Sequence, residues 1–195
     1  MVTRKIFYIL NAKRYKEFEQ YILDAYCNTI KEEDANKREN AHKRIFSFPG
    51  SKNKIPDAIV REGEALEIKK SGQSTVQLNS SPPRRKLKIN DSRLHSNAKF
   101  KETGETPWEN KELIYCFGYI QDKTKLLKSI WFVYGTILCD DESVYRNVSE
   151  RIEDKLVKLQ DEETETNELG RINEIDNMKT TSLRIRGMWV IKHPE

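Results

Sequence analysis

Between Pro56 and Ser71 the chain reads PDAIVREGEALEIKKS. Two short runs rich in apolar residues, Asp57 to Arg61 and Ala65 to Lys70, flank Glu62, Gly63 and Glu64, and this pattern predicts a β-hairpin. Successive side chains on a strand point to opposite faces. Leu66 and Ile68 therefore go to the core, while Glu67 and Lys69 share the other face. Asp57 opens the preceding strand, and a short hairpin brings its carboxylate toward that of Glu67.

Two carboxylates so placed can share a hard cation, for which Mg²⁺ is the natural candidate, with Asp57 and Glu67 as its ligands. Phosphodiester hydrolysis needs such an ion to offset charge on the phosphoryl oxygens and to activate water. Lys69, beside them, can position or deprotonate that water and screen the phosphate. For an isolated Glu-x-Lys, an exposed Glu67–Lys69 ion pair on a half-buried strand is the commoner explanation. The proline and aspartate, the hairpin-length gap and the acid-bearing helix upstream favour catalysis. That helix offers a third acid, Glu19, on the edge of an apolar stripe with Tyr15, Ile22 and Tyr26, whereas Glu17 and Asp24 are expected to project away. Contact with metal or lysine would compensate burial of the Glu19 carboxylate. A solvated stripe edge is the alternative.

Outward from the hairpin, apolar spacing predicts a helix from Ala12 to Glu33. Residues 31–44 are charged without periodicity and are expected to be its frayed end and a solvated connection; Phe46 to Gly50 signals a turn. Residues 71–101 are polar and basic, with Pro82 and Pro83, and are expected to form a long surface loop. Leu113 to Ile120 and Ser129 to Leu138 look like paired core strands. Val144, Val148, Ile152, Leu156 and Leu159 predict an amphipathic helix from Glu142 to Gln160 packed on that sheet. An acidic linker, residues 161–168, then leads toward a last strand from Leu183 to Ile191. The fold expected is α/β, one domain with a mixed central β-sheet flanked by helices.

Composition narrows the class. The 195 residues are 36% hydrophobic and 34% charged, with a formal net charge of +4, and the mean hydropathy is −0.80. No stretch approaches the roughly 18–20 apolar residues of a membrane span, no signal-type segment opens the chain, and a cytoplasmic location is the default expectation. Cys27, Cys116 and Cys139 lie far apart and read as buried thiols rather than a disulfide framework. His42, His95 and His193 lack metal-ligand spacing. Tyr115, Phe117, Tyr119, Trp131, Phe132 and Tyr134 suit a sheet core better than a base-stacking platform.

Three segments together carry a resemblance: Pro56-Asp57-Ala58-Ile59, Glu67-Ile68-Lys69-Lys70, and Leu78-Asn79-Ser80-Ser81-Pro82 followed by Lys86-Leu87. They resemble the central signature of type II restriction endonucleases of the NgoPII type, which are PD-(D/E)xK nucleases. The likeness continues through Tyr115 to Tyr119, Trp131 to Gly135 and Leu183 to Trp189, and so covers most of the chain. It implies a restriction-endonuclease-like core, Asp57 and Glu67 as metal ligands and Lys69 as the catalytic lysine. It also implies Mg²⁺-dependent cleavage of both strands of double-stranded DNA at a short site by a homodimer, with a cognate DNA methyltransferase as functional partner. One PD-(D/E)xK domain is expected over residues 1–195, in a chain expected to be shorter at both ends than other members.

DNA contacts are expected on the loop of residues 71–101. Arg84, Arg85, Lys86 and Lys88, with Arg93, His95, Lys99 and Lys101 further on, can reach phosphates beside the scissile bond. A solvated basic loop is the alternative. Gln77, Asn79, Ser80 and Ser81 carry groups suited to base edges or phosphates and lie directly beyond Lys69. Arg184 and Arg186 share one strand face and can bind guanine or phosphate, although edge-strand solubility explains them almost as well. Two rival functions remain: a structure-specific or repair nuclease, and a DNA-binding subunit without catalysis.

Overall fold

The computed structural model describes residues 18–51, 55–73, 75–79, 82–121, 127–156, 168–172 and 183–192. Helix α1, Phe18–Tyr26, turns Phe18, Tyr21, Ile22 and Leu23 inward. Its stop is local. Asn28 adopts φ 55°, and Thr29 N–H donates to the Asp24 carbonyl at 2.8 Å while Asn28 N–H reaches that of Ala25 at 3.2 Å. This Schellman pairing closes the helix well before Glu33; the expected beginning at Ala12, with Tyr15 and Glu17, falls outside the described residues.

The charged stretch that follows is a helix rather than a solvated connection. Asp34 Oδ1 accepts from Asn36 N at 2.9 Å and from Lys37 N at 3.2 Å, capping α2, Ala35–Ile45. His42, Lys43 and Arg44 occupy its last turn, where the helix dipole favours cations. An apolar stripe does not hold it, since Ala41 is its one buried residue. Asp24 does instead, and far from projecting away it is fully buried. Its Oδ1 accepts from His42 Nε2 at 2.8 Å and from Thr29 Oγ1 at 2.8 Å, with Arg38 Nε at 3.7 Å.

The remaining elements, in chain order, are β1 Phe46–Phe48, β2 Ala58–Val60, β3 Ala65–Ser71, β4 Thr75–Asn79, β5 Lys86–Lys88, a 3-10 turn Ser96–Ala98, α3 Phe100–Thr103, β6 Asn110–Ile120, β7 Leu127–Tyr134, α4 Gly135–Leu138, α5 Glu142–Leu156, β8 Glu168–Ile172, β9 Leu183–Arg186 and β10 Met188–Lys192. Among the described residues, six strands form a mixed central sheet in the order β1-β2-β3-β6-β5, with β7 on the later part of β6. The β2–β3 hairpin pairs Ala58 with Leu66 and Ile59 with Ala65, as expected. β3 then runs parallel to β6, placing Glu67 opposite Tyr115 and Lys69 opposite Phe117. Parallel strands need a long crossover, and residues 72–109 supply it.

Alternation divides the core into two layers. Ala58, Leu66, Ile68 and Cys116 pack with Phe18, Tyr21 and Ile22 of α1. On the other face Ile59, Ala65, Tyr115 and Phe117 pack with Phe48, Val76, Leu87 and Leu94. Each fully buried Leu or Ile contributes about 1.5–3 kcal/mol.

Several local expectations change. Phe46 to Phe48 is a strand, because Phe46 and Phe48 bury their rings against the sheet; the chain leaves it only at Pro49 and Gly50, where Gly50 takes φ 96°. The stretch 71–101 is not all loop: Val76 and Leu78 alternate inward on β4, which pairs with β10, and Leu87 is buried on β5. β7 pairs with β6 but is an exposed edge, with Trp131 39%, Phe132 54% and Tyr134 42% accessible. The α5 stripe of Val144, Val148 and Ile152 is likewise exposed rather than packed on the sheet; α5 lies against β8, and Tyr145 meets Trp189 edge-to-face at 5.5 Å. The last strand is broken at Gly187 into β9, paired with β8, and β10, paired with β4. Cys116 and Cys139 are buried as expected, but Cys27 is half-buried. No helix among the described residues is long and apolar enough to cross a membrane.

Candidate active site

The hairpin that carries the site is clamped from its turn. Glu62 takes φ 57°, its N–H donates to Glu105 Oε1 at 2.8 Å, and Lys111 Nζ bridges the Gly63 carbonyl at 2.9 Å and Glu105 Oε1 at 3.1 Å. Lys111 and Glu105 are both buried, so this ion pair fixes the turn rather than decorating it. At the other end Asp57 N–H donates to the Leu66 carbonyl at 3.0 Å. Gly50, at φ 96°, lets the preceding loop cross the Asp57 carbonyl so closely that a Cβ there would come within 2.2 Å of its oxygen. The backbone of Asp57 is thus set from two sides.

Its side chain meets those of β3 as the alternation requires. Asp57 Oδ2 accepts from Ile68 N–H at 2.5 Å and from Lys69 Nζ at 3.2 Å. Lys69 Nζ also lies 2.6 Å from Glu67 Oε1. The three side chains are only 16–24% accessible. An exposed strand-surface ion pair would be far more open than this.

Burial and the Glu67 carboxylate push Asp57 up to about 6, against the pull of Lys69 and the Ile68 N–H; Glu19 adds a further upward push. Burial alone would depress Lys69, but Glu67 and Asp57 outweigh it and hold the ammonium above its ordinary value. Two carboxylates therefore share one lysine in a poorly solvated niche, and negative charge there is under-compensated.

That excess fits a hard divalent cation. Among the described residues no three His, Cys, Asp or Glu side chains converge into a ready-made cage. Mg²⁺ is commonly held by one or two carboxylates, with water and phosphate oxygens completing its shell. Asp57 and Glu67 are the residues that would hold it.

The other residues singled out from the sequence are spread around this centre. Glu19 sits half-buried in the first turn of α1, where its charge acts on Asp57. Arg84 is half-buried: its Nε donates to Asp91 Oδ2 at 2.7 Å, and its main-chain N–H and carbonyl both meet the Tyr115 hydroxyl, at 2.7 and 3.1 Å. Arg85 and Lys86 are exposed, Lys86 beside Glu112 at 2.5 Å. Gln77 is exposed on β4, and the backbone of Asn79 pairs with Met188. Ser80 and Ser81 lie outside the described residues. Arg184 lies opposite Arg171 in the β8–β9 ladder, and Arg186 is exposed.

Two neighbours were named from the sequence only within larger groups, Tyr115 among the sheet-core aromatics and Arg93 among the basic residues able to reach phosphates. Tyr115 stacks on Phe117, 5.8 Å between centroids, yet sends its hydroxyl to Arg84. Arg93, one basic residue among many in its stretch, lies near enough to Glu67 for the two charges to interact. Spacing gives no sign of these placements, because Tyr115 is set opposite Glu67 by strand pairing and Arg93 is brought alongside Ile55 by the return of the crossover.

The family model for the NgoPII restriction endonuclease matches residues 10–195. The chain belongs to that family. It is 37% identical over 179 residues to the type II restriction enzyme NgoPII of Neisseria gonorrhoeae, an alignment covering 90% of this chain and 62% of that enzyme. The chain thus spans under two thirds of the length of this family relative. No solved structure matches it significantly. The match includes every residue of the hairpin centre and the basic stretch after it.

Proposed function

We propose that the chain is a type II restriction endonuclease that hydrolyses phosphodiester bonds in both strands of double-stranded DNA at a short specific sequence. The observation that carries this is the meeting of Asp57, Glu67 and Lys69 on one half-buried strand face, with Lys69 Nζ 2.6 Å from Glu67 and 3.2 Å from Asp57. Asp57 and Glu67 hold Mg²⁺ in this proposal. The ion supplies charge compensation at the phosphoryl oxygens and a more acidic water. Lys69, kept protonated by its two carboxylate neighbours, acts as a donor that holds the attacking water and a phosphate oxygen in place. Glu19 adds negative charge at the edge of the centre and favours retention of the cation.

Arg84, Arg85 and Lys86 carry the phosphate contacts that set the position of the duplex. Gln77, Asn79, Ser80, Ser81, Arg184 and Arg186 are the proposed base or phosphate contacts. One chain carries one hairpin centre, so cutting both strands in one encounter requires a homodimer with two-fold symmetry matching that of the site. Sparing the cell's own DNA requires a methyltransferase of the same specificity, and the place of action is the cytoplasm.

Digestion of unmethylated phage DNA with this chain and Mg²⁺, followed by sequencing of the fragment ends, tests the function. Discrete fragments sharing one end sequence are expected. A random smear would replace the proposal with a non-specific or repair nuclease, and intact DNA would leave a binding subunit.

A further inference from the structure

The crossover from β3 to β6 returns to the active site at residues 89–95. Ile55 N–H donates to the Arg93 carbonyl at 3.4 Å and His95 N–H donates to the Ile55 carbonyl at 3.2 Å. Ile55 and Leu94 form a parallel bridge. Arg93 is thereby fastened alongside the segment that leads directly into Asp57.

The neighbouring acid is committed elsewhere. Asp91 Oδ2 takes Arg84 Nε at 2.7 Å and Oδ1 takes the Arg93 backbone N–H at 2.9 Å. The Arg93 guanidinium is left with Nη1 buried and without a hydrogen-bond partner among the described residues. Buried N–H groups are nearly always satisfied, so an orphan of this kind beside a catalytic cluster points to a ligand that completes it. Burial and the Arg84 guanidinium depress Arg93, while Asp91 and Glu67 oppose this. Arg93 lines a cavity of about 670 Å³ with Arg84, Asn90 and Ser92, and the charges of both Arg84 and Glu67 act on it. A phosphate oxygen can supply the missing acceptor.

We propose that Arg93 is a further catalytic residue, whose Nη1–H donates to a non-bridging oxygen of the scissile phosphodiester. The inference rests on the nuclease function proposed above. As the water oxygen bonds to phosphorus and the leaving oxygen departs, negative charge grows on the non-bridging oxygens. Arg93 keeps its proton throughout and meets that charge by donation from Nη1–H. Arginine suits the role because its charge is permanent and its donors are rigidly directed.

The test uses a short duplex built around the cleavage site read from wild-type fragment ends. Single-turnover cleavage in Mg²⁺ and binding in Ca²⁺ are measured for wild type, Arg93→Ala and Arg93→Lys. Binding is repeated on a duplex with an uncharged methylphosphonate at the scissile position. Removing one such donor is expected to slow cleavage roughly 10²–10³-fold, with Arg93→Lys recovering only part of the rate. The binding deficit of Arg93→Ala on the native duplex should vanish on the methylphosphonate duplex, which loss of folding could not produce. Wild-type rates in Arg93→Ala, or a deficit equal on both duplexes, would overturn the Arg93 role and leave the nuclease function standing. DNA left intact by the wild-type chain would overturn both.

Discussion

Replacing Asp57 by asparagine should stabilise the metal-free protein while abolishing cleavage. Asp57 is raised from an ordinary 3.8 to about 6 in the folded chain, so the native state binds its proton more tightly than the unfolded state. The contribution is therefore fully present below about pH 4, falls as pH rises through about 6 and is lost above it. At about 1.4 kcal/mol per pH unit, the rise sets a ceiling of about 3 kcal/mol on what ionised Asp57 costs at pH 8. The amide retains an acceptor for Ile68 N–H, and Lys69 keeps Glu67 at 2.6 Å, but the Asp57–Lys69 contact at 3.2 Å loses its charge. The expected gain is therefore about 1–3 kcal/mol, at about 2–4 °C in Tm per kcal/mol for a chain of this size. Thermal melts in chelator from pH 4 to pH 8 measure it as the difference between variant and wild type. Mg²⁺ should raise the Tm of wild type and not that of Asp57→Asn. A variant less stable than wild type at pH 8, or a gain that does not change with pH, would refute the claim that this carboxylate is held under strain for a cation.

Gly50→Ala forces a Cβ to within 2.2 Å of the Asp57 carbonyl oxygen, and should cost about 1–3 kcal/mol by urea unfolding while lowering cleavage further than the stability loss explains. Wild-type activity would show that Gly50 does not set Asp57. Asp24→Ala removes a fully buried carboxylate bonded to His42 and Thr29 and should cost about 3–5 kcal/mol, read from the same unfolding curves; a loss within error would mean that α2 is held otherwise. Arg85→Ala should weaken DNA binding on all sequences alike and reduce the slope of log affinity against log salt by about 0.9. An unchanged slope would remove Arg85 from the phosphate contacts.

The hairpin and the meeting of Asp57, Glu67 and Lys69 were legible because alternation on a strand is a two-residue rule and the turn signal falls between two apolar runs. Helix α2 was not, because only Ala41 among its eleven residues is buried and its anchor, Asp24, lies on a different helix. A carboxylate at full burial is rare, and no local pattern announces it. β7 and α5 show the converse failure: apolar periodicity finds the element but not what covers it, and Phe132 and Val148 remain accessible. The β4 strand was hidden because Val76 and Leu78 alternate within a polar stretch and find β10 more than a hundred residues later. Arg93 was legible only as one of several basic residues able to reach phosphates, since its place alongside Ile55 depends on the return of the crossover.

In the proposed function Asp57 and Glu67 together bind a divalent ion that serves phosphodiester hydrolysis. Titration of Mn²⁺ followed by electron paramagnetic resonance, with wild type beside Asp57→Asn and Glu67→Gln in the presence of duplex DNA, tests it most directly. Wild type should deplete the free-ion signal, and both variants should leave it largely intact. Equal depletion by all three proteins would place the metal elsewhere and contradict the assignment of the hairpin centre.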